Sequence, residues 1–280
     1  MNTDPARSPA LPTRRSLGLI YALSTLIALL MAAASASGLL YGAILYPTDA
    51  LYESFVPTDV VNLLIGLPIL LGAMALARRG KLVGLLLWPG ALLFVLYTYL
   101  VYLLAMPLNV AFLLHLVLVT ASTYTLAGLV ASIDGEAVGG RLRGRVPERA
   151  AGGILAGLGL LFSLRVAGVL ASALASQTPV AGTELAALVA DFIVAPALVI
   201  VGVLLWRRQA TGYVAGLGLL FQTSMLFVGL IVLLLLQPWL TGAPFAPVDV
   251  VVVLVLGLIC FVPFGLFVRG VVAGGRGPAA

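Results

Sequence analysis

Apolar residues in this chain come in long unbroken runs, without the alternation of a half-buried strand or the one-sided stripe of a surface helix. The first run starts at Ser16 and reaches about Gly38, with a weaker continuation, LLYGAILYP, to Pro47. Seven more follow near 57–77, 82–105, 109–131, 150–174, 183–206, 211–236 and 247–268. A helix needs about 20 apolar residues to cross a bilayer. The pattern therefore predicts eight transmembrane helices in an all-α polytopic integral membrane protein. Residues 1–15 are polar and Pro-rich and read as a disordered tail, with a second tail at 271–280. The Arg14–Arg15 pair and the AAASASG stretch also resemble a signal peptide, but the run exceeds an h-region of about 7–15 residues, which favours a retained helix.

The polar connections between runs carry a strong asymmetry. With the N-terminus inside, the inner connections and tails hold Arg7, Arg14 and Arg15, then Arg78, Arg79 and Lys81, then Arg141, Arg143, Arg145 and Arg149, then Arg207 and Arg208, and finally Arg269 and Arg276. Of the 15 basic residues only Arg165 falls elsewhere, within a helix. Cytoplasmic loops collect Lys and Arg, so a cell-membrane protein with both termini cytoplasmic is expected. Asp49, Glu53, Asp59, Glu184 and Asp249 fall outside or at outer helix ends.

The runs also resemble one another. NLLIGLPILLGAMALARRGKLVGLLLWPGALLF from Asn62 parallels DFIVAPALVIVGVLLWRRQATGYVAGLGLLF from Asp191, with a proline early in each and an Arg-Arg pair at the exit. Pro107-Leu-Asn109-Val110 matches Pro247-Val-Asp249-Val250. The organisation read from this is two tandem four-helix units, 16–132 and 150–270, joined by a basic cytoplasmic loop at 133–149. An even helix number gives both units the same orientation. The loop, IDGEAVGGRLRGRVPER, is expected to be a solvated connector attracted to anionic lipid.

Composition agrees with the pattern: 62% hydrophobic against 9% charged residues leaves too little polar cover for a soluble globule. The net charge of +5 is topological in origin, so no nucleic-acid partner is expected; the partner is the lipid bilayer. One cysteine, Cys260, and one histidine, His115, exclude an intrachain disulfide and any multi-His or Cys-rich metal site built by this chain alone. No Walker loop or H-E-x-x-H occurs, and the one lysine, Lys81, lies in a loop, unavailable for an intramembrane Schiff base. No cofactor and no catalytic residue is indicated.

Most polar residues near the membrane have structural readings. Asp59, Asn109 and Asp249, in their Pro-x-Asp/Asn-Val motifs, read as outer helix caps, with ion binding as the sharper alternative. Gly80-x-x-x-Gly84, Gly153-x-x-x-Gly157 and Gly212-x-x-x-Gly216 permit close helix approach. Tyr97, Tyr99 and Tyr102 suit an outer aromatic belt and Trp206 an inner one. Pro68, Pro196 and Pro263 should kink their helices.

The residues outside these classes are the candidates. Asp191 lies roughly 12 Å below Thr183 and Arg165 roughly 13 Å below Leu174 at the helical rise per residue. Equal depth on consecutive helices predicts an Arg165–Asp191 ion pair, since neither charge is stable alone there. His115 lies roughly 9 Å below Asn109, and Asn62 is the counterpart of Asp191. These four form an expected polar cluster in the outer half of the bundle, with Tyr97 as a wall and Gln222 nearer mid-membrane. It would hold a small polar or anionic ligand, or merely lock helices together. A carrier, a sensor or accessory subunit, and an intramembrane enzyme all remain open, the enzyme least supported.

Overall fold

The computed structural model describes residues 11–242 and 244–275. Among them are nine helices: α1 (Gly18–Leu45), α2 (Asp49–Arg78), α3 (Leu82–Ala105), α4 (Val110–Ser132), α5 (Gly135–Leu142), α6 (Glu148–Ser176), α7 (Gly182–Trp206), α8 (Ala210–Thr241) and α9 (Pro247–Gly275). All but the short α5 are long and apolar enough to cross a bilayer, so the chain is a polytopic helical membrane protein. The long helices alternate in direction. One end of the bundle, the basic end, gathers Arg14, Arg15, Arg78, Arg79, Lys81, Arg207 and Arg208; the other, acidic end carries Asp49, Glu53, Glu184 and Asp249.

Helix α3 is the axis of the packing. It touches α2, α4, α7, α8 and α9, and 72% of its most apolar window is buried, against 17% for the peripheral α6. Close approach depends on missing side chains. A Cβ on Gly90 of α3 would lie 2.5 Å from the Cα of Gly218 on α8, so these two backbones touch. Gly84 meets the backbone of α2 at Ala77, and Gly212 meets that of α7 at Leu205, seven residues before each glycine. Gly152 and Gly159 bring α6 onto Gly202 and Ala195 of α7 in the same way.

Helix α2 contains a π-helical turn at Asn62–Gly66, immediately before Leu67 and Pro68. Proline cannot donate the ordinary helical bond, and a widened turn there holds one additional residue. Asn62 and Pro68 are six residues apart, whereas Asp191 and Pro196 are five, and the stretch from Asp191 to Pro196 lies wholly within the α-helix α7.

Several sequence expectations need correction. Helix α2 begins at Asp49, not near 57, because Thr48 accepts a bond from the Leu51 N–H and Leu51 and Phe55 bury one face of a segment whose other face is polar. Asp59 is therefore inside a helix and caps nothing. Asp249 is likewise within the first turn of α9, where an acid suits the helix dipole. Asn109 is a cap, accepting from Ala111 N–H at 3.0 Å. The 133–149 connector contains α5, capped by Asp134 and packed against α8 at Ala210 and Tyr213. The described end of the N-terminal segment is also ordered: Asp134 N–H donates to Pro12 O, Arg14 N–H to Ser132 O, and Arg14 pairs with Asp134 at 3.5 Å. The rest of that tail, and 276–280 of the second, lie outside the described residues.

Candidate functional site

Residues two apart on a helix point roughly 200° apart, and residues three apart share a face. Helix α3 uses both rules. Tyr99 and Tyr102 face α1, α2 and α4, while Tyr97 faces α7. The tyrosines are thus hydrogen-bonding groups, Tyr99 and Tyr102 buried and Tyr97 half-buried, and not an interfacial belt, and α3 divides the expected single cluster into two.

The first network centres on Asp59, only 1% exposed. Tyr46, at the end of α1, donates to its Oδ2 at 2.5 Å, and Tyr102 donates to its Oδ1 at 2.9 Å. Gly38 makes room: a Cβ there would overlap the Asp59 carboxylate and the Tyr46 hydroxyl. One turn deeper, Asn62 Nδ2 donates to Ser35 Oγ at 3.0 Å, Ser35 bonds Tyr99 Oη at 3.0 Å, and Tyr99 donates to the Met31 carbonyl. His115 packs against both rings, with centroids 5.6 Å from Tyr99 and 5.2 Å from Tyr102. Its Nδ1 is buried with no hydrogen-bond partner among the described residues, as is Asn62 Oδ1.

Beside this network lies a pocket of about 280 Å³ between α1 and α4. Tyr46, His115 and Ser37 supply its polar wall; Ala34, Leu45, Met106, Val110, Ala111 and Leu114 supply the rest. Met31 and Leu118, one turn deeper on the two helices, are fully buried. The pocket therefore lies at the acidic end of these two helices, above a packed floor.

The second network lies across α3. Tyr97 donates to Asp191 Oδ1 at 2.8 Å, and Arg165 donates to Oδ2 at 3.1 Å, with Glu184 a further 3.9 Å partner of the guanidinium. The expected ion pair forms. Its two ends differ, since the Arg165 side chain is 45% exposed on the flank of α6 and that of Asp191 only 9%. Arg165 reaches along the flank to Glu184 near the start of α7, which is how a long cation at the edge of a bundle escapes hydrocarbon. This is a clasp between α3, α6 and α7.

Gln222 joins neither network. It is 1% exposed on α8, and neither amide atom has a partner among the described residues. Of the six candidate residues, then, His115 and Asn62 belong to the first network, Tyr97, Asp191 and Arg165 to the second, and Gln222 stands alone. Tyr46 was not among the expected site residues, and Asp59 was read as a cap with ion binding only as the alternative. The available signal was the spacing Leu51, Phe55, Asp59, Asn62, which places all four on one helical face. No protein-family model, curated protein or solved structure matches the chain.

Proposed function

We propose that this membrane protein binds a small ligand in the pocket between α1 and α4, with the basic end cytoplasmic and the pocket facing the opposite side. The carrying observation is His115, which lines the pocket, is held by two tyrosine rings, and leaves Nδ1 without a protein partner. A buried polar atom without a partner is costly; Nδ1 has almost no accessible surface, so a ligand in the pocket meets it only if the ring turns. The widened turn at Asn62, beside the same tyrosines, adds support, since such turns recur at functional sites. A pocket that ends above Met31 and Leu118 suits a receptor or sensor better than a conduit.

The repeat reading fits the same arrangement. Gly90 and Gly218 each lie 22 residues beyond the proline of their proposed unit, Pro68 and Pro196, and they touch one another, as residues on a pseudo-twofold axis would. Ala77–Gly84 and Leu205–Gly212 are equivalent contacts within each unit. In the repeat reading only the first unit carries the pocket, while the Arg165 clasp ties α6 and α7 of the second to α3.

Thermal unfolding in detergent against a panel of small cationic, neutral and anionic compounds tests the proposal. Some compound should stabilise the wild type, as any ligand selective for the native state must, and Ala111→Trp, which fills the pocket, should abolish that shift. Stabilisation that survives Ala111→Trp, or none from any compound, counts against it. A carrier is the second reading, favoured by Ser122 and Thr125 deeper on α4, whose buried hydroxyls have no partner among the described residues. Uptake of the stabilising compound into proteoliposomes would support the carrier and its absence the receptor.

A further inference from the structure

We infer that the ligand of this pocket is a small organic cation, an amine carried on an apolar body, and that Asp59 is the charge that selects it; this rests on the pocket being a binding site.

The two buried aspartates of the bundle are treated differently. Asp191 is met by a guanidinium. Asp59 is more deeply buried, yet among the described residues no arginine, lysine or histidine forms an ion pair with it; its partners are two phenols and the Ser35 hydroxyl. A carboxylate removed from water with only dipoles around it is expensive, and a cation brought within reach offsets that expense.

The pocket provides the approach. Tyr46 is both a wall of the pocket and the donor to Asp59 Oδ2. With its proton committed to the carboxylate, its oxygen presents lone pairs, made more negative by the charge behind them. Phe55 and Tyr102 pack behind it, 5.6 and 6.5 Å away between ring centroids and outside the lining, so the rings a cation in the pocket meets are Tyr46 and His115. Electron-rich rings favour a cation over their faces. An ammonium would donate to Tyr46 Oη while its apolar body lay against Ala34, Leu45, Met106, Val110, Ala111 and Leu114.

The field at this end has the matching sign. Asp49 and Glu53 open α2, Glu184 opens α7 and Asp249 opens α9, while the described basic residues, apart from Arg165, gather at the other end. Arg165 is itself bound to Asp191 and Glu184. An anion would meet no arginine or lysine in the lining, so of the small polar or anionic ligand expected from sequence the anionic alternative is replaced here by a cationic one. A bare multivalent metal is disfavoured as well: no cluster of three or more His, Cys, Asp or Glu exists among the described residues. The volume of about 280 Å³ suits a ligand at the small end of the usual range.

A charge series at constant shape tests this. Titration calorimetry in detergent would compare 2-phenylethylamine, 2-phenylethanol and phenylacetate on wild type, Asp59→Asn and Asp191→Asn. The amine should bind at least tenfold tighter than the alcohol, the acid weakest. Asp59→Asn should bring the amine down to the alcohol's affinity, and Asp191→Asn should keep the preference. Should Asp59→Asn fail to fold, Tyr46→Phe is expected to weaken the amine more than the alcohol. Equal or tighter binding of the alcohol or the acid would overturn the inference while leaving a pocket blocked by Ala111→Trp intact. No binding by any of the three would overturn the inference, and the panel above would then decide the pocket separately.

Discussion

Tyr97 and Tyr99 stand two residues apart on α3 and serve different carboxylate networks: Tyr97 donates to Asp191 on α7, whereas Tyr99 bonds Ser35 on α1 beside Asp59 and His115. The separation has an energetic consequence. Loss of a buried hydrogen-bond donor costs about 1–3 kcal/mol, and effects at sites without shared partners add to within about 0.5 kcal/mol. Tyr97→Phe and Tyr99→Phe should each destabilise the protein, and the double variant should show the sum in reversible unfolding in mixed micelles. A clear departure from the sum would mean that one network joins both tyrosines.

Arg165 and Asp191 should behave oppositely. Arg165→Gln leaves Asp191 with only the Tyr97 hydroxyl, and Asp191→Asn leaves Arg165 with only the more distant Glu184. The combined variant should be less damaged than the sum of the two, with a coupling of about 0.5–3 kcal/mol in a double-mutant cycle. Additive effects would show that the two charges contribute independently.

The Gly90–Gly218 contact gives a steric prediction. A methyl group at Gly90 must push α8 away from α3, and such overpacking costs about 1–3 kcal/mol. Gly90→Ala should lower the unfolding temperature well below wild type. Gly72→Ala, where nothing lies within 4 Å, should leave it unchanged or slightly raised. Equal behaviour of the two variants would remove this contact from the account.

Orientation is tested by labelling. The one native cysteine, Cys260, is buried, so background reaction with a membrane-impermeant maleimide should be low. Thr178→Cys, at the exposed α6–α7 turn, should react in intact cells; Gly140→Cys, on the exposed side of α5, should react only after permeabilisation. The reverse pattern would invert the proposed topology.

Much of the architecture was legible because eight long apolar runs leave a helix few alternatives in lipid, where every backbone group must be satisfied internally. The pairing of Arg165 with Asp191 was legible for a similar reason, since two lone charges at one depth on consecutive helices have strong cause to meet. What sequence depth lacks is azimuth. Nothing in the rise per residue says that Tyr97 and Tyr99 diverge, and so His115 and Asn62 were grouped with residues on the far side of α3. Asp59 was lost differently. The stretch DALYES is polar enough to read as a loop, and only its buried stripe of Leu51 and Phe55, together with the Thr48 cap, shows that the helix has already begun.

The central claim, that the pocket beside His115 binds a small ligand, can be read from a single atom type. His115 is the one histidine of the chain, so protein labelled with ¹⁵N-histidine gives imidazole signals from this site alone. On addition of 2-phenylethylamine to the protein in nanodiscs, these signals should move saturably, and in Ala111→Trp they should stay where they are. Imidazole signals unmoved in the wild type by the amine, the alcohol and the acid alike would contradict the account.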